Sequence, residues 1–368
     1  MNKILLIGNS GFENKGTDGQ TIKVRLYLQK IIDEGFPVQY INLYKFHKHP
    51  FSNIRKIREG VNSNDRIILL TAQRGSKILI PLINFFNRNR KRVFVFPLIG
   101  TSVLHYSIDK LNNEQKNDFL INQNFEYCKP KKRLIKQLKQ ISYILPETEQ
   151  LCEVFRNFYG LSNVFCVDNF REVHSHNLLD VRTQQNELKL VFLSRVMEEK
   201  GILDLVTVIK KIHSINENVS LDIYGKISLS EKQLEYFRNT MHDSSINYCG
   251  EVTNDSVVST LGKYDLFVFP TKFVGEGTPG VIVESLLAGT PVLTSNFPQA
   301  KFLLKDGEDS IFFNMFDNED LYNKLMKIIK NKNILIPMRR AAKESGNKYT
   351  YEHERANFLK YVCGVEEE

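Results

Sequence analysis

No apolar run in this 368-residue chain approaches the length needed to span a bilayer, so a membrane-embedded protein is not expected. Cysteine is scarce. The five (Cys128, Cys152, Cys166, Cys249 and Cys363) are odd in number and have no close pairing along the chain. That indicates neither a disulfide framework nor a zinc site, and it favours a reducing cytoplasm. A cleavable export signal is also not expected. Met1-Asn2-Lys3 leads straight into Ile4-Leu5-Leu6-Ile7 and Gly8, the pattern of a first strand. Internal repeats, low-complexity tracts and an Asp-x-Asp metal motif are all missing. What remains is the composition of a soluble globular protein, 42% hydrophobic and 25% charged, at a length that suggests two domains.

Charge is unevenly placed. Residues 1–180 carry a balance of +11 and the remainder −3. Two stretches concentrate the excess, Arg88–Arg92 and Lys129–Lys139, the second mixing Leu134, Ile135 and Leu138 with cations as an interfacial helix does. A solvated helix with one buried stripe is the equal alternative. The basic residues lack the aromatic interleaving of a single-strand binder, so nucleic acid is not the expected partner. An anionic membrane surface or a phosphate-bearing acceptor fits better.

The chain alternates short apolar runs with helical periodicity. Strands are predicted at Ile4–Gly8, Val38–Leu43, Arg66–Thr71, Arg92–Leu98, Ser142–Pro146 and Val164–Val167, then from Leu190–Ser194 onward to Val292–Thr294. Uninterrupted apolar strands are buried on both faces, as in a parallel sheet between helices. Residues 171–188 lose the periodicity and turn polar, which marks a linker. The expected organisation is an N-terminal domain over 1–170, that linker, a second domain over 189–345 and a terminal helical segment over 346–368. The fold class is α/β, two doubly wound Rossmann-like domains with the ligand cleft at the carboxyl ends of their strands.

The most informative segment runs from Thr271 to Glu284, Thr-Lys-Phe-Val-Gly-Glu-Gly-Thr-Pro-Gly-Val-Ile-Val-Glu. Thr278 is placed to cap a helix beginning at Pro279, leaving the amides of Gly280, Val281 and Ile282 free for an anion. Gly275, Gly277 and Gly280 admit a ligand close to backbone. Glu276 precedes the helix and Glu284 lies on its second turn. Two carboxylates cannot both face a phosphate at that terminus, but they suit hydroxyl-rich groups on either side of it. A glycine-rich turn carrying two surface glutamates is the bland alternative.

Glu276-Gly-Thr-Pro-Gly-Val-Ile-Val-Glu284, followed by Ser-Leu-Leu-Ala-Gly-Thr-Pro-Val292, resembles the signature of the family-four retaining glycosyltransferases of GT-B fold. The resemblance implies that Glu276 contacts the transferred sugar and Glu284 the ribose of a nucleotide donor. A second motif agrees with it. Arg195-Val-Met-Glu-Glu-Lys200-Gly201 follows a strand and opens an amphipathic helix, so Arg195 and Lys200 would clamp a diphosphate and stabilise the leaving nucleotide. Read locally, the same loop is solvated, with both cations paired to Glu198 and Glu199. Tyr248-Cys-Gly250-Glu-Val252 also matches the family, which places Gly250 and Val252, with Thr271–Phe273, near the base.

The resemblance covers nearly the whole chain and is strongest over residues 190–300. In the N-terminal half, the loop containing Gly16, Thr17, Asp18 and Gly19 resembles the family's glycine-rich loop over the donor. Gly8-x-x-Gly11 misses the dinucleotide fingerprint. His105 stands a few residues beyond the family's usual histidine position, where this chain has Ile99, and Glu147 ends another strand. Both are candidates for the sugar or acceptor side. The resemblance implies hexose transfer from a UDP- or GDP-sugar to a glycan or lipid-linked hydroxyl with retention, no cofactor and no metal, at the inner face of the cell membrane in surface-polysaccharide synthesis. Three other readings stay open: a GT-B sugar-nucleotide epimerase, a dinucleotide-dependent oxidoreductase and a non-catalytic membrane-surface protein.

Overall fold

A computed structural model describes residues 1–11, 19–172, 187–215, 218–241 and 243–366. The chain divides into two compact units, Met1–Asn169 with Tyr351–Glu368, and Phe170–Thr350.

The first unit is built on a parallel sheet in the order β2-β1-β3-β4-β5. Its strands are β1 (Ile4–Gly8), β2 (Val38–Asn42), β3 (Arg66–Leu70), β4 (Val93–Pro97) and β5 (Tyr143–Leu145). Central β1 and β3 are buried along their whole length, which is why β1, and β3 after Arg66, read as apolar runs. The predicted strand at Val164–Val167 does not form. Val164 makes one isolated parallel bridge to Ile144, because β5 is only three residues long and offers no further register.

Tyr351–Glu368 returns to this unit through polar anchors. Arg66 Nε and Nη2 donate to the carbonyls of Val362 and Tyr361 at 2.9 and 2.6 Å, and Arg355 pairs with Glu34 at 2.7 Å.

The second unit carries a six-stranded parallel sheet in the order β11-β10-β9-β6-β7-β8. These strands are β6 (Leu188–Leu193), β7 (Val219–Tyr224), β8 (Ile246–Gly250), β9 (Leu266–Phe269), β10 (Val292–Ser295) and β11 (Ser310–Phe313). The strand order reverses at β6, between β9 and β7. This is the topological switch at which open α/β sheets bind ligands. β11 was not foreseen: four residues at the sheet edge, two of them half-buried, give too short a pattern. Helix Ile202–His213 buries Ile202, Leu205, Val206, Val208, Ile209 and Ile212 against this sheet, each worth about 2 kcal/mol over exposure. The helical stretch after β8 begins as a 3-10 turn, Asn254–Ser256, and becomes α-helical at Val257–Leu261. Among the described residues, no helix is long and apolar enough to cross a membrane.

Candidate functional site

The site residues of the second unit lie on loops that leave the carboxyl ends of β6, β7, β8 and β9. After β6 the chain passes Ser194 and Arg195 close to Gly225, which follows β7. Gly225 has φ 131°, and a Cβ there would lie 1.8 Å from the Ser194 carbonyl oxygen. Arg195 is exposed and its side chain makes no ion pair among the described residues. Lys200 closes a 3-10 turn, Glu198–Lys200, and Gly201 follows with φ 73°. A Cβ on Gly201 would sit 1.9 Å from the Pro270 carbonyl oxygen, so this turn lies directly on the chain leaving β9.

That contact decides where Lys200 points. Its ammonium pairs with Glu276, not with the neighbouring Glu198 or Glu199, and stands 5.3 and 5.9 Å from the ring centroids of Phe269 and Phe273. The Thr271 hydroxyl donates to the same Glu276 oxygen at 2.9 Å, while its own oxygen accepts from the Phe273 amide at 3.2 Å. The Glu199 carbonyl accepts from the Lys272 amide at 2.8 Å, tying the two loops together. Glu276 is thus 8% exposed, with Oε1 engaged and Oε2 making no hydrogen bond among the described residues. A carboxylate with one oxygen fixed and the other open can accept from a hydroxyl without reorganising.

Glu284 is held in a parallel way. Helix Gly280–Leu287 has Pro279 at its N-cap and no side-chain cap. Two expectations are corrected here: Thr278 does not cap it, and the Ile282 amide is taken by the Pro279 carbonyl at 3.0 Å. Only the Gly280 and Val281 amides stay open for an anion. Thr278 is itself buried. Arg171 Nε donates to Glu284 Oε1 at 2.8 Å, and both side chains are largely buried, 9% and 12% exposed. A Cβ on Gly280 would lie 1.8 Å from Arg171 Nη2. The glycine therefore makes room for this guanidinium, and Gly275 likewise for the Phe273 ring, 2.7 Å from where its Cβ would stand. Arg171 was not singled out from the sequence, since it stands at the edge of a polar stretch with no periodicity.

Gly250 ends β8 with φ 83°, and its carbonyl accepts from the Gly225 amide at 2.8 Å. Val252 is half-buried just beyond it, and Phe273 is 41% exposed.

In the first unit, Gly16, Thr17 and Asp18 lie outside the described residues, and Gly19 opens helix Gly19–Asp33. His105 begins the short helix His105–Ile108. Burial, with Lys116 nearby, holds its imidazole below the ordinary value and favours the neutral ring. Glu147 is 3% exposed and its carboxylate is 2.6 Å from the Lys23 ammonium, which also donates to the Leu98 carbonyl at 2.7 Å.

The fold brings Cys152 and Cys166 together with Glu149, their ligand atoms within 4.8 Å of one another, a proximity that the sequence spacing hides. Arg156 stands 2.5 Å from Glu149, and the Cys166 thiol is pushed up by its hydrogen bond to Cys152 and by burial. A guanidinium beside the carboxylate and a protonated thiol suit packing better than a bound cation.

Comparison with known proteins adds to this geometry. The model of the family described as glycosyl transferases group 1 matches residues 187–331. That match spans most of the second unit. Across the whole chain the fold is GT-B. HepE of Anabaena, solved with UDP and glucose, superposes with a TM-score of 0.71 at 13% identity, covering 99% of this chain and 100% of that one. Sucrose-phosphate synthase of Thermosynechococcus elongatus gives 0.71 at 14%, covering 99% and 98%. The capsular polysaccharide biosynthesis glycosyltransferase CapM of Staphylococcus aureus is 25% identical over 175 residues, 46% of this chain and 43% of its own length. An uncharacterised glycosyltransferase of Methanocaldococcus jannaschii is 21% identical over 321 residues, 85% of this chain and 76% of its own. The first two curated glycosyltransferase relatives are matched over less than half of their length, 44% and 43%.

Proposed function

We propose that this chain transfers a hexose-type sugar from a nucleotide diphosphate donor to a hydroxyl of a glycan or lipid-linked acceptor, with retention. The observation that carries the reading is the pair of cation-held carboxylates, Lys200–Glu276 and Arg171–Glu284, at the strand ends of the group 1 domain. Each leaves an oxygen open for hydroxyls, one before the helix Gly280–Leu287 and one on its second turn. The amides of Gly280 and Val281, with Arg195 and Lys200, receive the diphosphate. As the bond from the anomeric carbon to phosphate breaks, its electron pair stays on the phosphate oxygen. That oxygen takes the acceptor proton, and the acceptor oxygen bonds the same face of the sugar. These cations supply the electrostatic stabilisation, and the reaction needs no metal.

UDP is the favoured nucleotide, in line with the UDP complex of HepE. A donor screen over UDP-, GDP- and ADP-sugars tests the reading. Wild type should bind one class and hydrolyse it slowly, and Arg195→Ala should weaken that binding about tenfold by removing one charge-assisted contact. Binding of none of these donors, or unchanged affinity in Arg195→Ala, counts against it.

A role in surface-polysaccharide synthesis follows from the basic surface of the first unit, which we place on the inner face of the cell membrane. Arg90 from one basic stretch joins Lys132, Lys136 and Lys139 from the other around a cavity of about 410 Å³, lined also by Ile135 and Gln140. The adjoining helix Gln73–Phe86 exposes Ile78 and Phe85, at 65% and 66%, seven residues apart on one face. Cations that make no ion pair among the described residues, beside exposed apolar side chains, suit an anionic lipid surface. Phosphatidylglycerol-containing vesicles should sediment the protein, and Lys132→Gln/Lys136→Gln/Lys139→Gln should weaken this about 100-fold, at ~1 kcal/mol per charge. Equal binding to purely zwitterionic vesicles would overturn the proposal.

A further inference from the structure

We infer that Arg171 is a positioning residue for nucleotide recognition, which fixes the Glu284 carboxylate so that it reads the ribose hydroxyls. The inference rests on the donor reading above and adds to it a residue outside both motifs.

The guanidinium is fastened on several sides. The Arg171 backbone amide donates to the Tyr349 carbonyl at 2.8 Å, and the residue forms a parallel bridge with Thr350. Nη1 donates to the Phe170 carbonyl at 2.9 Å, which sets the plane of the fork. Nη2 lies against Gly280, so closely that no larger residue fits there. Nε then meets Glu284 Oε1 at 2.8 Å. A cation beside a helix N-terminus is opposed by the helix dipole, so a residue held there by this many contacts is held against a local cost. The consequence is visible on Glu284. One of its oxygens is pinned, and Oε2 makes no hydrogen bond among the described residues.

A glutamate on the second turn of a helix otherwise samples several rotamers, and binding a diol would have to select one of them. Pinning Oε1 removes that selection before the ligand arrives. Arg suits the task where Lys does not. Its planar fork transmits the orientation set at Phe170 to the carboxylate, whereas an ammonium on a flexible stem supplies charge without direction.

Discrimination between UDP and 2′-deoxy-UDP, or between GDP and 2′-deoxy-GDP if the guanine nucleotide binds, tests this by calorimetry. Wild type should prefer the ribonucleotide about tenfold, as one charge-assisted hydrogen bond allows. Arg171→Gln should bring that ratio close to one, as should Glu284→Gln. Arg171→Lys should keep only part of it, and Arg171→Gln/Glu284→Gln should fall no further than either single change. A wild-type ratio retained in Arg171→Gln overturns the role of Arg171 alone. A wild type that binds the nucleotides without preference removes the ribose from Glu284. Failure of wild type to bind any nucleoside diphosphate removes the donor reading itself. A merely structural Arg171 would lower affinity for both nucleotides and leave their ratio unchanged, which also overturns the inference.

Discussion

Glu276→Gln should lower kcat for sugar transfer by about 10²–10³-fold while changing nucleotide diphosphate affinity by less than about threefold. The substitution keeps shape and volume, and the amide oxygen can still accept from Thr271, which stands 2.9 Å away. What disappears is the negative charge beside the transferred sugar. Oxocarbenium character develops there as the bond to phosphate lengthens, so the loss falls on the transition state more than on the bound donor. In the proposed reading the nucleotide is held by Glu284, the helix amides, Arg195 and Lys200, all of which the substitution leaves in place. Glu276→Ala is a poorer test. It would also leave Lys200, 12% exposed, without a partner, and a stranded buried charge costs several kcal/mol of stability. Steady-state kinetics at saturating donor, beside calorimetry with the nucleotide diphosphate, give the two numbers. Wild-type turnover in Glu276→Gln would remove Glu276 from the chemistry.

Lys23→Met should destabilise the first unit by about 3–5 kcal/mol, a fall in Tm on the order of 10 °C. Lys23 and Glu147 are each 3% exposed and 2.6 Å apart, and Lys23 also donates to the Leu98 carbonyl at 2.7 Å. The pair fastens helix Gly19–Asp33 to the segments leaving β4 and β5. Removing the cation alone takes the charge partner from a buried carboxylate. Removing both charges, as in Lys23→Met/Glu147→Leu, should recover most of the loss, since a well-packed apolar pair often replaces a buried ion pair without penalty. Calorimetric scans of the three proteins check this. A single mutant within 1 °C of wild type would show that the pair holds nothing.

The parts of this structure that follow from local pattern were legible in the sequence. Ile4–Gly8, residues 67–70 and Leu266–Phe269 announce a two-sided parallel sheet because each is apolar throughout. Gly201 and the loop before Gly280–Leu287 announce strand-to-helix turns. The carboxylates of the candidate site stand out for the same reason, since the glycines, proline and two glutamates all fall within ten residues. Their partners were not. Lys200 has Glu198 and Glu199 beside it in sequence, yet the close approach of Gly201 to Pro270 turns its ammonium toward Glu276. Arg171 reaches Glu284 across 113 positions from a segment that reads as a linker. Glu147 looked available at a strand end, but its partner Lys23 sits on an ordinary amphipathic helix, where a lysine is expected to be solvated. Pairings of this kind are set by packing, and no spacing rule encodes them.

The fastening of the Arg195–Gly201 turn to the chain after β9 bears on how such an enzyme could be re-engineered. The Glu199 carbonyl takes the Lys272 amide, Gly201 lies flat on Pro270, and Lys200 closes onto Glu276. The two loops are therefore one exchangeable module with a single shape. Transplanting a relative's Glu276 loop alone would put a new backbone against an old turn whose Glu199 carbonyl and Lys200 ammonium are placed for the original loop. A graft meant to alter donor choice has to carry residues 195–201 and 270–277 together, as a cassette whose mutual fit travels with it.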